Sequence, residues 1–148
     1  MTRNVGAPRI IKDGTHELHL YQSSKMGKEL KFEAVVTYGM TSDEIMSIEQ
    51  TIVNHLSGDQ LQSGRETNQI GDELEKKFGG YWMVGIFEDP YGMAYTVSRR
   101  SPMYVVFEVN EKAGILCASQ GSGGNRLDKF KITKDGFNTH LLQRPKNH

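Results

Sequence analysis

Apolar and polar positions alternate through the stretch ELKFEAVVTY, residues 29–38, where Leu30, Phe32, Ala34 and Val36 oppose Lys31, Glu33, Val35 and Thr37. A period of two predicts a half-buried strand. The period changes after Gly39 and Met40. Thr41-Ser42-Asp43-Glu44 has the spacing of a capping box, in which the Thr41 side chain accepts from the Glu44 N–H and Glu44 reaches back. A helix over roughly 42–57 follows, with Ile45, Ile48, Ile52, Val53 and Leu56 on one stripe and Gly58 as its stop. A second helix, roughly 65–78, carries Ile70, Leu74 and Phe78 at four-residue steps; Gly71 weakens it and Gly79-Gly80 ends it. Four strands are then predicted at 81–87, 93–98, 103–109 and 114–118. Pro102 stands just before the third, where its missing N–H matters least, and residues 110–114 make a short hairpin loop. One strand, two helices and four strands predict an α+β fold with both helices packed on an antiparallel sheet.

The flanks follow a different pattern. Residues 1–28 read as an N-terminal extension with a hairpin around Asp13-Gly14, and residues 120–148 as a C-terminal extension after the Gly/Ser hinge QGSGGNR. The domain proper is 29–119. The C-terminal part holds a second possible hairpin around Asp135-Gly136. The two flanks share a weak pattern: Ile10, Lys12, Asp13, Gly14 and Leu20 recur as Ile132, Lys134, Asp135, Gly136 and Leu142.

Composition narrows the class. The chain has 148 residues, of which 36% are hydrophobic, the range of an ordinary globular domain. No apolar run reaches membrane-spanning length, and the first ten residues lack an apolar signal core. Basic and acidic residues balance at 18 each, which gives no long-range pull toward nucleic acid or an anionic membrane. With a single cysteine, Cys117, no internal disulfide can form, and the expected compartment is the reducing cytoplasm.

Candidate chemistry is sparse. His16 and His19 sit in a strand-like stretch where they face opposite ways, and no His, Cys or carboxylate spacing fits a metal site. Glu88-Asp89 before Pro90 reads as a turn former. Arg99-Arg100 suits solvated gatekeepers more than a phosphate or acidic-peptide site. The run 121–124 lacks the Lys-Ser/Thr of a phosphate loop, Cys117 reads as core packing, and Ser98 and Ser101 have no nucleophile-elbow context. No catalytic constellation stands out and no cofactor is implied, so the chain is expected not to be an enzyme.

Several motifs in order resemble the dynein light chain family, the small dimeric hub class. They are FEAVVTYGMTSDEI, LEKKFGGYW, WMVGIFEDPYG and MYVVFEVNEKAGILCA, together spanning about 29–119. The resemblance implies that the strand at 92–98 crosses to a second subunit and joins its sheet. It implies a homodimer that binds extended segments by strand addition, dynein intermediate chain among them. Tyr91 and Gly92 match the aromatic-Gly pair at the mouth of the groove, and Thr96 a groove Thr. Met93, Ala94, Tyr95 and Val97 complete that strand, and Met103, Val105 and Phe107 match an apolar floor. Trp82, Met83, Met93 and Tyr95 are the implied dimer contacts. The chain departs from the family at Ser63-Gly64, where relatives place an acid-Lys pair, and at Met83 and Val97, where relatives place His.

The expected function is therefore a non-catalytic dimeric adaptor of the cytoplasm and cytoskeleton, without nucleic-acid binding or membrane insertion. A structural dimerisation module outside dynein, and a small α+β ligand-binding protein or enzyme, stand as alternatives. An open two-fold groove bordered by 92–98 would favour the adaptor, and a concave pocket with convergent polar groups the last of them.

Overall fold

The computed structural model describes residues 5–57, 64–89, 94–98, 101–121 and 137–141. Among these, two helices and six antiparallel strands form the body, and two further strands pair with each other. The strands are β1 (Arg9–Asp13), β2 (His16–Ser23), β3 (Lys28–Tyr38), β4 (Trp82–Phe87), β5 (Ala94–Ser98), β6 (Tyr104–Val109), β7 (Ala113–Ser119) and β8 (Phe137–Leu141). The helices, α1 (Ser42–His55) and α2 (Arg65–Phe78), lie between β3 and β4 in the chain. The large sheet has the order β1-β2-β3-β6-β7-β4; β5 pairs with β8 alone.

The α+β class follows the periodicity, but the arrangement is richer than one strand, two helices and four strands. Two strands precede β3 and join its edge, and β5 stands outside the large sheet. The Asp13-Gly14 hairpin forms as expected, with Gly14 at φ 64. Its second arm pairs with β3 from His19 opposite Phe32 to Ser23 opposite Lys28. The segment expected as an extension thus supplies core residues, Tyr21 above all.

Local chemistry sets the helices. In α1 the Glu44 N–H donates to Thr41 Oγ1 at 3.1 Å and the Thr41 N–H donates to Glu44 Oε1 at 2.9 Å, so both halves of the capping box are made. The α1 stripe of Ile48, Ile52, Val53 and Leu56 and the α2 pair Ile70 and Leu74 are buried against the sheet, with Ile45 and Phe78 at the margin. They meet Leu30, Phe32, Val105, Phe107, Val109, Ile115 and Cys117 from the facing strands. Three rings cross β2, β3 and β6 edge to face: Tyr21 to Phe32 at 5.6 Å and Phe32 to Phe107 at 5.5 Å.

Gly71 sits where α2 approaches β4. A Cβ there would lie 3.7 Å from Val84 Cγ2, an ordinary contact. Gly71→Ala is therefore expected to stabilise the fold by about 0.5–1 kcal/mol, because the helix loses its glycine entropy without a clash. Thermal unfolding checks this, and a lowered melting temperature would mean the helix–strand contact is tighter than its geometry indicates.

The alternation predicted for 29–38 breaks at one point. The β3–β6 register shifts between Ala34 and Val36. Leu30, Phe32 and Ala34 face the helices as expected, but Val35 and Val36 both join the opposite face. A bulge inserts one residue, so the period of two slips. That second face carries its own apolar cluster of Tyr104, Val106, Leu116 and Ala118, flanked by Met83 and Phe87. Tyr38, 57% exposed, stacks on Tyr104 at 5.5 Å.

Candidate functional site

The expected groove centres on β5, which pairs antiparallel with β8, from Ala94 opposite Leu141, through Thr96 opposite Thr139, to Ser98 opposite Phe137. Ala94, Tyr95, Thr96 and Val97 therefore lie on a strand, as expected; Tyr91, Gly92 and Met93 fall outside the described residues. So do Gly58, Ser63, Arg99-Arg100, the glycines at 123–124 and the turn at Asp135-Gly136. At the far end of the large sheet, β4 pairs with β7 from Trp82 opposite Ser119 to Phe87 opposite Gly114. Its other edge has no strand partner among the described residues.

The floor and interface residues divide by strand parity. Val105 and Phe107 occupy the side of β6 that faces the helices and are fully buried in the main core, so they line no open groove in this chain. Met103, just before β6, is half-buried at the margin of that core. Trp82 also turns inward: its ring lies 5.6 Å from Phe78, and its Nε1–H donates to the Gly79 carbonyl at 3.1 Å. Met83, its neighbour, belongs to the second face. Of the two dimer contacts expected on β4, only Met83 is outside the main core.

Two of the nucleophile candidates, Cys117 and Ser101, are buried, and the Ser98 side chain lies outside the described residues. Cys117 is fully buried, and desolvation pushes its thiol up to about 12, far from the thiolate a nucleophile needs. Ser101 donates to the Met103 carbonyl at 3.0 Å. Among the described residues no group of three His, Cys, Asp or Glu side chains is placed to hold a metal ion. Among the described residues no helix is long and apolar enough to cross a membrane.

A buried polar cluster joins β2 to α1, and the helical stripe as first drawn passes over it. Glu49 is only 1% exposed. Its Oε1 accepts from the Tyr21 hydroxyl at 2.7 Å and pairs with His19 Nδ1 at 2.8 Å. His19 Nε2 pairs with Glu17 Oε2 at 2.7 Å. With a carboxylate on each ring nitrogen, the imidazolium form donates twice and satisfies both. Neither ring nitrogen of that imidazolium keeps a lone pair to accept a substrate proton, so His19 clamps β2 onto α1 instead of serving as a general base. The sequence signal was there: Glu49 lies between Ile48 and Ile52 on the apolar stripe, and a carboxylate on a buried face requires a partner. A second network ties the helices. His55 Nε2 meets Glu73 Oε1 at 2.6 Å, and Lys77 Nζ reaches Glu73 Oε2 at 3.2 Å and Thr51 Oγ1 at 2.7 Å. Against a desolvation that pushes it up, these bonds hold the Glu73 carboxyl below its usual range.

The clamp makes stability pH-dependent. Burial lowers the affinity of His19 for its proton, but the bonds to Glu17 and Glu49 outweigh it and raise the imidazole above its ordinary 6.5. Desolvation raises the Glu49 carboxyl, against its bonds from His19 and Tyr21. Both groups hold a proton more tightly folded than unfolded. The His19 contribution is complete below pH 6.5 and drains away as pH rises through the elevated value; the Glu49 contribution has the same sign, starting from its ordinary 4.5. Unfolding free energy is expected to fall as pH rises above 6.5, with a slope of at most about 1.4 kcal/mol per pH unit for one proton. Denaturant titrations at several pH values read the slope. His19→Gln should flatten it more than His16→Gln, since the bond to Glu33 raises the His16 imidazole too, but at an exposed site where solvent screens the pair. An unchanged slope in His19→Gln would remove the clamp as its source.

Comparison with protein-family models, with curated proteins and with solved structures returned no match to this chain.

Proposed function

We propose that the chain is a non-catalytic dimeric adaptor of the dynein light chain type, which binds extended segments of partner proteins by strand addition. The observation that carries this reading is an unmatched pair of edges. β4 ends the large sheet with one side open among the described residues, while β5, the next strand in the chain, pairs with none of the six strands of that sheet. A strand detached from its own sheet and a sheet edge lacking a strand fit an exchange between two copies, each β5 joining the β4 of the other. Open edges of this kind favour backbone pairing with another chain. The second face adds nothing to this reading, because Tyr104, Val106, Leu116 and Ala118 are already buried within one chain. Dynein intermediate chain is the partner the sequence resemblance implies.

Sedimentation at micromolar concentration is expected to give two chains per particle, since stable dimer interfaces bury on the order of 1,200–2,000 Å². A library of extended peptides is expected to yield binders. Thr96→Ala should weaken them by about 1 kcal/mol and leave the dimer intact. A well-folded monomer that captures no extended peptide would sink the adaptor reading.

A further inference from the structure

We propose that β8 is an internal ligand: the segment Phe137–Leu141 occupies the edge of β5 on which an external peptide would add. The inference rests on the strand-addition reading and deepens it. A strand has two edges. In an exchanged dimer one edge of β5 meets the other copy's β4, and a partner segment needs the second. The chain itself fills one edge with an antiparallel, five-pair register from Ala94–Leu141 to Ser98–Phe137. Thus an extended partner reaches β5 in the dimer only by displacing β8.

The chemistry of the two strands suits a backbone-driven, replaceable contact. Ala94–Ser98 and Phe137–Leu141 contain no Lys, Arg, Asp or Glu, and His140 is their one basic residue, so the ladder carries little charge. The pattern shared by the flanks gives the same behaviour a precedent within the chain. Ile10, Lys12, Asp13 and Gly14 are followed by β2, which adds antiparallel to the edge of β3. Ile132, Lys134, Asp135 and Gly136 are followed by β8, which adds antiparallel to β5. The first copy is locked by the buried Tyr21 and His19 bonds to Glu49, from the helix beneath. In the second copy, Phe137 and Asn138 stand where the first has Thr15 and His16, and Leu141 where it has His19. The C-terminal strand thus has no imidazole at the position that fastens the first; its own His140 stands in register with Tyr95. The external ligand class that follows is an uncharged extended segment of about five residues, entering in competition with β8.

A strand tethered in the same chain competes at a high effective concentration, on the order of millimolar. A free peptide must outcompete it. The test uses the full chain carrying both Thr139→Pro and His140→Pro. Adjacent residues of a strand point their N–H groups to opposite sides, so the pair removes one ladder donor whichever edge is used. The probe is a fluorescent peptide with the sequence of residues 131–142. Of the Ala94–Ser98 amides, the alternate ones that face β8 are expected to be protected from hydrogen exchange in the unmodified chain and to lose protection in the variant, while those facing the other copy's β4 stay protected. The peptide is expected to bind the variant at least tenfold more tightly than the unmodified chain. Unchanged circular dichroism and Trp82 emission show that the body is folded; Thr139→Asp, which sets a charge opposite Thr96, is the milder second variant. Unaltered protection of Ala94–Ser98 in folded variants overturns the proposal, because β8 is then not their partner. Lost protection with equal peptide affinity for both chains also overturns it, because β8 then blocks nothing. A monomeric protein whose Ala94–Ser98 amides still lose protection in the variants marks the other failure: the pairing with β8 stands and the adaptor reading falls.

Discussion

Glu49→Ala is expected to destabilise the chain by about 3–5 kcal/mol, the cost typical of removing one partner from a buried ionic pair. The residue is 1% exposed and receives the Tyr21 hydroxyl at 2.7 Å and His19 Nδ1 at 2.8 Å. Alanine leaves both donors buried without an acceptor, each costing about 1–3 kcal/mol, and adds a cavity. Two further variants separate the causes. Glu49→Gln keeps an oxygen for Tyr21 and should cost less. Replacing the set together, with His19→Leu, Tyr21→Phe and Glu49→Leu, leaves no orphaned donor and should also cost less than Glu49→Ala. Guanidinium unfolding measures all three. A loss below about 1 kcal/mol in Glu49→Ala would show that solvent reaches the site, and the clamp would then hold nothing.

Gly39→Ala is expected to cost about 3 kcal/mol or more, through two effects that a second glycine separates. Gly39 turns the chain from β3 toward α1 at φ 71, in the left-handed region where a Cβ is disfavoured. A Cβ built there would also fall 2.1 Å from the Pro102 carbonyl oxygen. That backbone is not free to retreat. The Met103 carbonyl accepts from the Ser119 N–H at 2.9 Å and from the Ser101 hydroxyl at 3.0 Å, pinning the start of β6 to β7. Gly14 has φ 64 with nothing within 4 Å of its would-be Cβ, so Gly14→Ala isolates the left-handed strain, about 1–2 kcal/mol. The difference between the two substitutions in denaturant unfolding is the cost of the clash. Equal losses would mean that Pro102 moves aside freely.

The helices were legible because their signals are local. The Thr41–Glu44 box and the stripe of Ile48, Ile52, Val53 and Leu56 lie within one turn or one face, and α2 fills the residues its spacing predicts. What escaped depends on partners far along the chain. The inward side of β2 mixes His19, Tyr21 and Ser23, a pattern that looks polar until Glu49 lies beneath it. The slip at Val35 is a property of the β3–β6 register, to which alternation is blind. The same holds for Val105 and Phe107, whose parity was right for a buried face but silent about which layer would cover it. The pairing of β5 with β8 joins two segments separated by most of the C-terminal half, and no periodicity encodes such a choice.

The seam between β3 and β6 has a consequence for how the protein is made. As the chain leaves the ribosome, β1, β2 and β3 can close into a meander at once, since each follows its neighbour through a short turn. The other side of β3 must wait: Phe32 finds Val109, and Tyr38 finds Tyr104, only after both helices, β4 and β5 have been synthesised. Throughout that interval an eleven-residue strand offers bare backbone to anything nearby. Lys31 and Glu33, charged residues set among Leu30, Phe32 and Ala34, fit the need to keep a nascent edge from pairing with the wrong chain.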